Sequence, residues 1–429
     1  MTEIDKTDNS AERAVLVGAG EGRHMDELAR LASTLGVEVT TALEQNRRDG
    51  AGYLGRGKRE ELGELVELNS AGMVIADDEL TASQARVLEK QAGVEVVDRT
   101  ELIIRIFEAH ARDAASRLEV ELADLQYRLP RVKGRSEALS RLGGGGVTTR
   151  GPGEQKLEYD RRVIRERISS IERKLKEERS ARSVQSSRLK RSGLPIVALV
   201  GYTNAGKTTI LNDISGAGRS TRDRLFETLE TTTRLVENGT PKGAGSMSRP
   251  DFVLTDTVGF IRKLPKQLVR SFESTLEAAR GAEVRVLCAD ASSSEVADEI
   301  ATVRQILGQN ETTSSQTNEI VGDGTLLCLN KIDLVSKERV SELEKDYPDA
   351  VMISAISSGT APLLDLIYSA IARDRERVSL IIPHAEYASA SQLYGLAEIH
   401  DSSETESGVR LDVTLPKRAA SRYQRFRVL

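Results

Sequence analysis

The chain has no tryptophan, only two cysteines and four histidines, and aromatic residues at only 3% of its 429 positions. Each scarcity removes a class of function. With no Cys-x-x-Cys pair, the cysteines argue against a thiolate metal site or a disulfide. Cys288 and Cys328 lie in the apolar runs VRVLCAD and LLCLNKID, where buried reduced thiols are expected. The histidines fall in no cluster that would serve a metal or a triad. No apolar run is long enough to cross a bilayer, and the polar start MTEIDKTDNS is not expected to act as a signal peptide. A formal net charge of −5 leaves no global basicity, so any nucleic-acid surface has to be local. The expectation is a cytoplasmic chain with no membrane partner, and a monomer.

What is present is charge, at 30% of residues, and enough length for two to four domains. Residues 1–110 alternate short apolar runs (RAVLVGAG, GVEVTT, GMVIADDEL, GVEVVD) with helical stretches, which predicts a small α/β domain with a mostly parallel sheet. Leu62, Leu65, Val66 and Leu68 are expected on one face of a helix there, and Leu102, Ile103 and Ile106 on another. In residues 111–192, Leu118, Leu122, Leu125 and Leu129 are spaced 4, 3, 4, and Ile164, Ile168, Ile171 and Leu175 repeat that spacing. Two such seams predict an antiparallel helical hairpin. The intervening RLGGGGVTTRGPGE is expected to be loop throughout. Residues 193–376 return to βα alternation and predict a doubly wound α/β sheet with its ligand at the carboxyl ends of the strands. The remainder, 377–429, shows VSLII and GVRLDVTL as strands of a small α+β appendage.

Chemistry is concentrated in the third segment. Gly201, Tyr202, Thr203, Asn204, Ala205, Gly206, Lys207 and Thr208 spell G-x-x-x-x-G-K-[ST] between an apolar strand and a helix. Backbone N–H groups of such a loop wrap a pyrophosphate at the helix N-terminus, the lysine reaches the β- and γ-phosphates, and the Thr208 hydroxyl ligates Mg²⁺. Asn330, Lys331, Ile332 and Asp333 select the base: the Asp333 carboxylate accepts both guanine N–H donors, Asn330 ties the base pocket to the phosphate loop, and the Lys331 stem covers the ring. Ser354, Ala355 and Ile356 follow at a distance suited to backbone contact with the guanine oxygen. GTP and GDP are therefore the expected ligands.

Asp256, Thr257, Val258 and Gly259 form an Asp-x-x-Gly switch. Asp256 would hold the Mg²⁺ shell through water, and the Gly259 N–H would meet the γ-phosphate. Residue 260 is Phe, which cannot orient the attacking water as a glutamine does. A second switch needs a threonine from LFETLETTTR, that is Phe226, Glu227, Thr228, Leu229, Glu230 and onward. Thr228 is favoured by its spacing from Thr208, with Thr232 second. Asn204 either helps a K⁺ ion bridge the phosphates or serves as a loop-stabilising amide. The expected catalytic set is Lys207, Thr228, Gly259 and Asn204. GAGEG at 18–22 invites a dinucleotide reading but lacks the third glycine at the required spacing.

From Gln155 to Arg191, thirteen basic residues face six acidic ones, a local +7 on an acidic chain. With only Tyr127 and Tyr159 nearby, such a helix suits the shape and charge of structured RNA better than base stacking. A solvated helix face laced with its own ion pairs is the bland alternative.

YLGRGK (53–58), TRGPGEQKLEYDRR (149–162), GYTNAGKTT, LFETLETTTR and DTVGFIRKLPKQLVRSFESTLEAA (256–279) together resemble the HflX GTP-binding proteins, in that family's order, over residues 13 to 376. The resemblance implies an N-terminal α/β domain, a helical linker and a Ras-like P-loop G domain. It also implies binding to the large ribosomal subunit and its rRNA, with nucleotide-gated splitting, remodelling or rescue of ribosomes. Thr231 stands where the family usually shows Pro, and Gln155-Lys156 replaces a more usual pair. By that resemblance the apolar Phe260 leaves intrinsic GTP hydrolysis slow until the ribosome orders the site. The alternatives are a signalling GTP switch whose hairpin grips a protein, and a GTPase linked to RNA modification.

Overall fold

The computed structural model describes residues 12–111, 113–132, 152–191, 194–216, 232–237, 250–265, 268, 279–308, 325–393 and 397–428. The chain forms two compact units. The first comprises Met1–Lys176 with Arg224–Phe226 and Lys263–Ser271, and the second Glu177–Asp223, Glu227–Arg262 and Phe272–Leu429.

In the first unit, strands β1 (Arg13–Ala19), β2 (Glu38–Gln45), β3 (Met73–Ala76) and β4 (Glu95–Asp98) pair in parallel in the order β2-β1-β3-β4. Parallel neighbours need crossovers, and helices α1 (Met25–Thr34), α2 (Arg56–Leu68) and α3 (Ala82–Ala92) supply them. Val15, Val17, Leu62, Val74 and Leu88 close the core, each 4% exposed or less. Leu68, expected on the buried face of α2, is instead 81% exposed at its last turn, because the stripe runs through Leu62 and Val66 and leaves position 68 on the far side. Strand order reverses between β1 and β3, where α/β sheets open a crevice at their carboxyl ends.

That crevice is filled by the protein's own charges. Asp77 and Asp78 follow β3 directly. Arg99 donates to Asp77 at 2.7 Å and to Glu27 at 2.7 Å, all three side chains being 4% exposed or less. Asp78 accepts from Arg48 at 2.6 Å and from the Tyr53 hydroxyl at 2.9 Å, and burial pushes the phenol's pKa up. Lys263, assigned to the same unit, donates to Asp77 Oδ2 and Asp78 Oδ1, both at 2.8 Å.

Helix α4 (Arg99–His110) leads into α5 (Ala114–Arg131), which buries Ala115, Val120, Ala123 and Tyr127. The leucines at 118, 122, 125 and 129 are half-buried beside that stripe. Helix α6 runs from Pro152 to Arg191, and Arg167 on it pairs with Glu121 on α5 at 2.6 Å. Pro152, Gly153 and Glu154, expected in the loop, are its first turn. A proline there forfeits no hydrogen bond, since the first N–H groups of a helix have no partner within it. The glycine run before it lies outside the described residues.

The second unit holds β5 (Ile196–Gly201), α7 (Lys207–Ile214), β6 (Thr232–Val236), β7 (Phe252–Asp256), β8 (Val284–Asp290), α8 (Val296–Leu307), β9 (Thr325–Asn330), α9 (Lys337–Asp346), β10 (Val351–Met352) and α10 (Ala361–Asp374). Among the described residues its sheet runs β10-β9-β8-β5-β7-β6, with β6 antiparallel at the edge. The sheet is doubly wound, as expected, with β6 in addition: its burial alternates, but Thr232 and Arg234 take the inner positions and Leu235 is 47% exposed, so TTRLV shows no apolar alternation in sequence. Cys288 on β8 and Cys328 on β9 are register partners, both 0% exposed. Beyond α10, β11 (Arg375–Ile382), β12 (Glu398–Thr405) and β13 (Gly408–Pro416) pair antiparallel in the order β11-β13-β12. Leu380, Leu411, Val413 and Leu415 form the core of this appendage. No helix among the described residues is long and apolar enough to cross a membrane.

Candidate functional site

The loop between β5 and α7 brings the predicted phosphate cradle together. Gly206 caps α7 with φ +86°, and a Cβ there would lie 2.2 Å from the Asn330 Nδ2 atom, so close approach and conformation both demand glycine. Asn330 explains that approach: its Nδ2 donates to the Ala205 carbonyl at 3.0 Å, while its Oδ1 accepts from the Ala355 amide at 3.0 Å. One buried side chain thus joins the phosphate loop, the end of β9 and the segment after β10. Asn204 sits in the left-handed region at φ +62°, which asparagine tolerates better than other non-glycine residues.

Lys207 is buried at 6% exposure, and its ammonium donates to the carbonyls of Tyr202 at 2.7 Å and Gly201 at 3.1 Å. Burial pulls its pKa down, and the nearby Asp256 carboxylate pulls it back up. Thr208 donates its hydroxyl to Asp256 Oδ2 at 2.7 Å, so two hard oxygens converge at the start of α7.

The Asp-x-x-Gly segment lies against the loop. Thr257 donates its hydroxyl to the Leu199 carbonyl at 2.7 Å, and Val258 is buried. Gly259 packs so tightly that a Cβ would fall 2.8 Å from Thr203 Cα and 3.1 Å from Lys207 Nζ. Phe260 is 7% exposed and pairs through its backbone: the Thr203 amide donates to its carbonyl at 2.8 Å, and its own amide donates to the Gly201 carbonyl at 3.1 Å.

On the base side, Lys331 adopts φ +64° and pairs with Asp290 at 2.8 Å. Ile332 and Asp333 lie in a single 3₁₀ turn with Asp333 exposed. Ser354 is buried and accepts from the Ser357 amide at 3.0 Å, and Ile356 is 81% exposed beside it. Phe226, Glu227, Thr228, Leu229 and Glu230 lie outside the described residues. Thr232, the second switch candidate, is the first residue of β6, opposite Asp256.

Two contacts are not among the expectations from the sequence, one made by Asp290 and one by the hydroxyl of the loop residue Tyr202. Asp290, the partner of Lys331, ends an apolar strand just as Asp256 does, and that position was a readable signal. The Tyr202 hydroxyl, which accepts the Arg262 amide at 2.6 Å, had no such signal, because sixty residues separate the pair.

Residues 22–108 match the family model described as GTP-binding GTPase N-terminal, 110–189 the GTP-binding GTPase middle region, and 196–331 the 50S ribosome-binding GTPase. The chain is 39% identical to the GTPase HflX of Caldanaerobacter subterraneus subsp. tengcongensis, over 97% of this chain and 94% of that one. It is 34% identical to the GTPase HflX of Escherichia coli, over 95% and 94%. Among solved structures, a GTP-binding protein from Sulfolobus solfataricus in complex with GDP is 22% identical at a TM-score of 0.42, covering 84% of this chain and 98% of that one.

Proposed function

This chain belongs to the GTPase HflX family and is a GTP hydrolase, and from that premise we propose that it docks on the large ribosomal subunit through rRNA, splits or remodels ribosomes under nucleotide control, and hydrolyses GTP under stimulation by that docking. The surface of α6 carries the docking half of this reading. Arg162, Arg165 and Arg173 line a shallow groove of about 360 Å³ with Ser169, Ser170 and Glu166. Positions 162, 165, 169 and 173 share one helix face. Arg162 lies 3.7 Å from Glu166 and Arg167 is committed to Glu121, so part of the charge is internally spent. Arg165 and Arg173 make no ion pair among the described residues. Guanidinium and hydroxyl groups spaced along a helix suit the phosphate oxygens of a structured RNA.

The hydrolytic half rests on the cradle. Mg²⁺ fits the Thr208 hydroxyl and Asp256 carboxylate, the hard-oxygen donor set that this ion takes. Bound there, it would neutralise charge developing on the β- and γ-phosphates. Lys207 exchanges two neutral carbonyl partners for phosphate oxygens, a gain because hydrogen bonds to ionised acceptors are stronger. The Gly259 amide reports the γ-phosphate, with Thr228 completing the metal shell. Phe260 offers no polar atom to the attacking water, so turnover stays slow until ribosomal RNA orders the site. Asn204 in its left-handed turn either meets a K⁺ ion or simply shapes the loop.

GTP turnover measured with and without large ribosomal subunits, in potassium and in sodium buffer, tests both halves. Strong stimulation that weakens steeply with added salt is the expected result. A potassium requirement assigns the cation role to Asn204. A fast rate in the isolated chain, unchanged by ribosomes, overturns the proposal.

A further inference from the structure

The parallel ladder between β5 and β7 does not stop at the sheet. Leu199 pairs with Asp256, and three residues later Tyr202 bridges Phe260, four residues on. The β7 side therefore carries one extra residue, and Thr257, Val258 and Gly259 form a short bulge held at both ends. At the near end the ladder and the Thr257 hydroxyl hold it. At the far end two backbone hydrogen bonds join Phe260 to Gly201 and Thr203, and beyond them the Arg262 amide donates to the Tyr202 hydroxyl at 2.6 Å. Tyr202, Phe260 and Arg262 are all 8% exposed or less. The Arg262 guanidinium faces Glu295 at 2.8 Å and Asp298 at 3.1 Å, so it turns away from the loop and leaves its amide to the tyrosine.

The geometry points to Tyr202 as a positioning residue for the γ-phosphate sensor: its hydroxyl fixes the downstream end of the bulge and so holds Gly259 packed against Thr203 and Lys207. This rests on the reading above that Gly259 meets the γ-phosphate, and it adds a role that the phosphate-loop pattern leaves unspecified, since the second position of that pattern is any residue. The backbone bonds of the bulge are available to any sequence, whereas the tyrosine hydroxyl is a side-chain device. It acts on the sensor without touching the α- or β-phosphate. Its loss therefore weakens recognition of a nucleoside triphosphate and spares the diphosphate.

The test is the affinity of the full chain for a non-hydrolysable GTP analogue and for GDP. In Tyr202→Phe the analogue is expected to bind about three- to tenfold more weakly, the effect of one buried hydrogen bond, with GDP binding unchanged. Unchanged GDP affinity also shows that the loop is intact. The same substitution is then repeated in Arg262→Ala, which keeps the amide, and in Arg262→Pro, which removes it. The shift is expected to persist in the first background and to vanish in the second. Equal weakening of both nucleotides, or a shift that survives in Arg262→Pro, overturns the inference. Failure of the unmodified chain to bind either nucleotide overturns the underlying reading instead.

Discussion

The N-terminal sheet is parallel and the G-domain sheet parallel but for its edge strand β6; each has an opening at its carboxyl edge, and they treat that opening in opposite ways. In the N-terminal sheet, Asp77 and Asp78 are met by Arg99, Arg48, Tyr53 and Lys263, so every charge is answered by a side chain of opposite sign or a hydroxyl. In the G-domain sheet, the hydrogen bonds of Lys207 among the described residues go to the carbonyls of Gly201 and Tyr202, with the Asp256 carboxylate nearby but committed to Thr208, and the helix start presents backbone N–H groups. A fixed carboxylate partner is hard to displace. A neutral carbonyl yields to a phosphate oxygen. The architecture alone thus does not make a nucleotide site, which requires partners weak enough to be exchanged.

Substitutions can break this contrast. The largest effect is expected at Arg99→Met, which takes its cation from the buried Glu27 carboxylate and leaves Asp77 with Lys263 alone. Chemical denaturation should report a loss of about 3–5 kcal/mol, with GTP affinity retained. Lys207→Ala should invert that pattern, with stability held and single-turnover hydrolysis reduced about 10²- to 10³-fold, the cost of losing one preorganised donor. Asp333→Asn sharpens the base side. Replacing the acceptor carboxylate should weaken GTP about ten- to a hundredfold in a binding titration while improving xanthosine triphosphate, whose 2-carbonyl accepts the new amide. The smallest effect belongs to Tyr53→Phe. Asp78 keeps Arg48 and Lys263, while the Ala19 amide loses its buried acceptor, so denaturation should show a loss of about 1–2 kcal/mol. Equal sensitivity of nucleotide binding to Arg99→Met and Lys207→Ala would erase the distinction between the two openings.

The same contrast governs what was legible beforehand. The phosphate loop and the Asn-Lys-x-Asp stretch could be read because their chemistry requires given residues at fixed short spacing; they follow β5 and end β9. The ion network of the N-terminal sheet could not, since Glu27 and Arg99 meet across 72 positions and neither is unusual in its local context. Strand β12 escaped notice because its face is solvent-exposed and reads as a polar loop. Edge strand β6 is five residues long and merges with the threonine run of the expected switch. Leu68 was misplaced because a helix face cannot hold four leucine and valine positions so close together.

The cysteines in register on β8 and β9 give the protein a clock of its own. No other thiol exists in the chain, and both sulfurs are sealed in the sheet that carries the nucleotide loop. A thiol reagent therefore reacts only when that sheet parts, at a rate set by its opening. Ligands that bind the closed sheet must slow the reaction in proportion to their occupancy. Labelling time then reads out nucleotide binding without any added reporter.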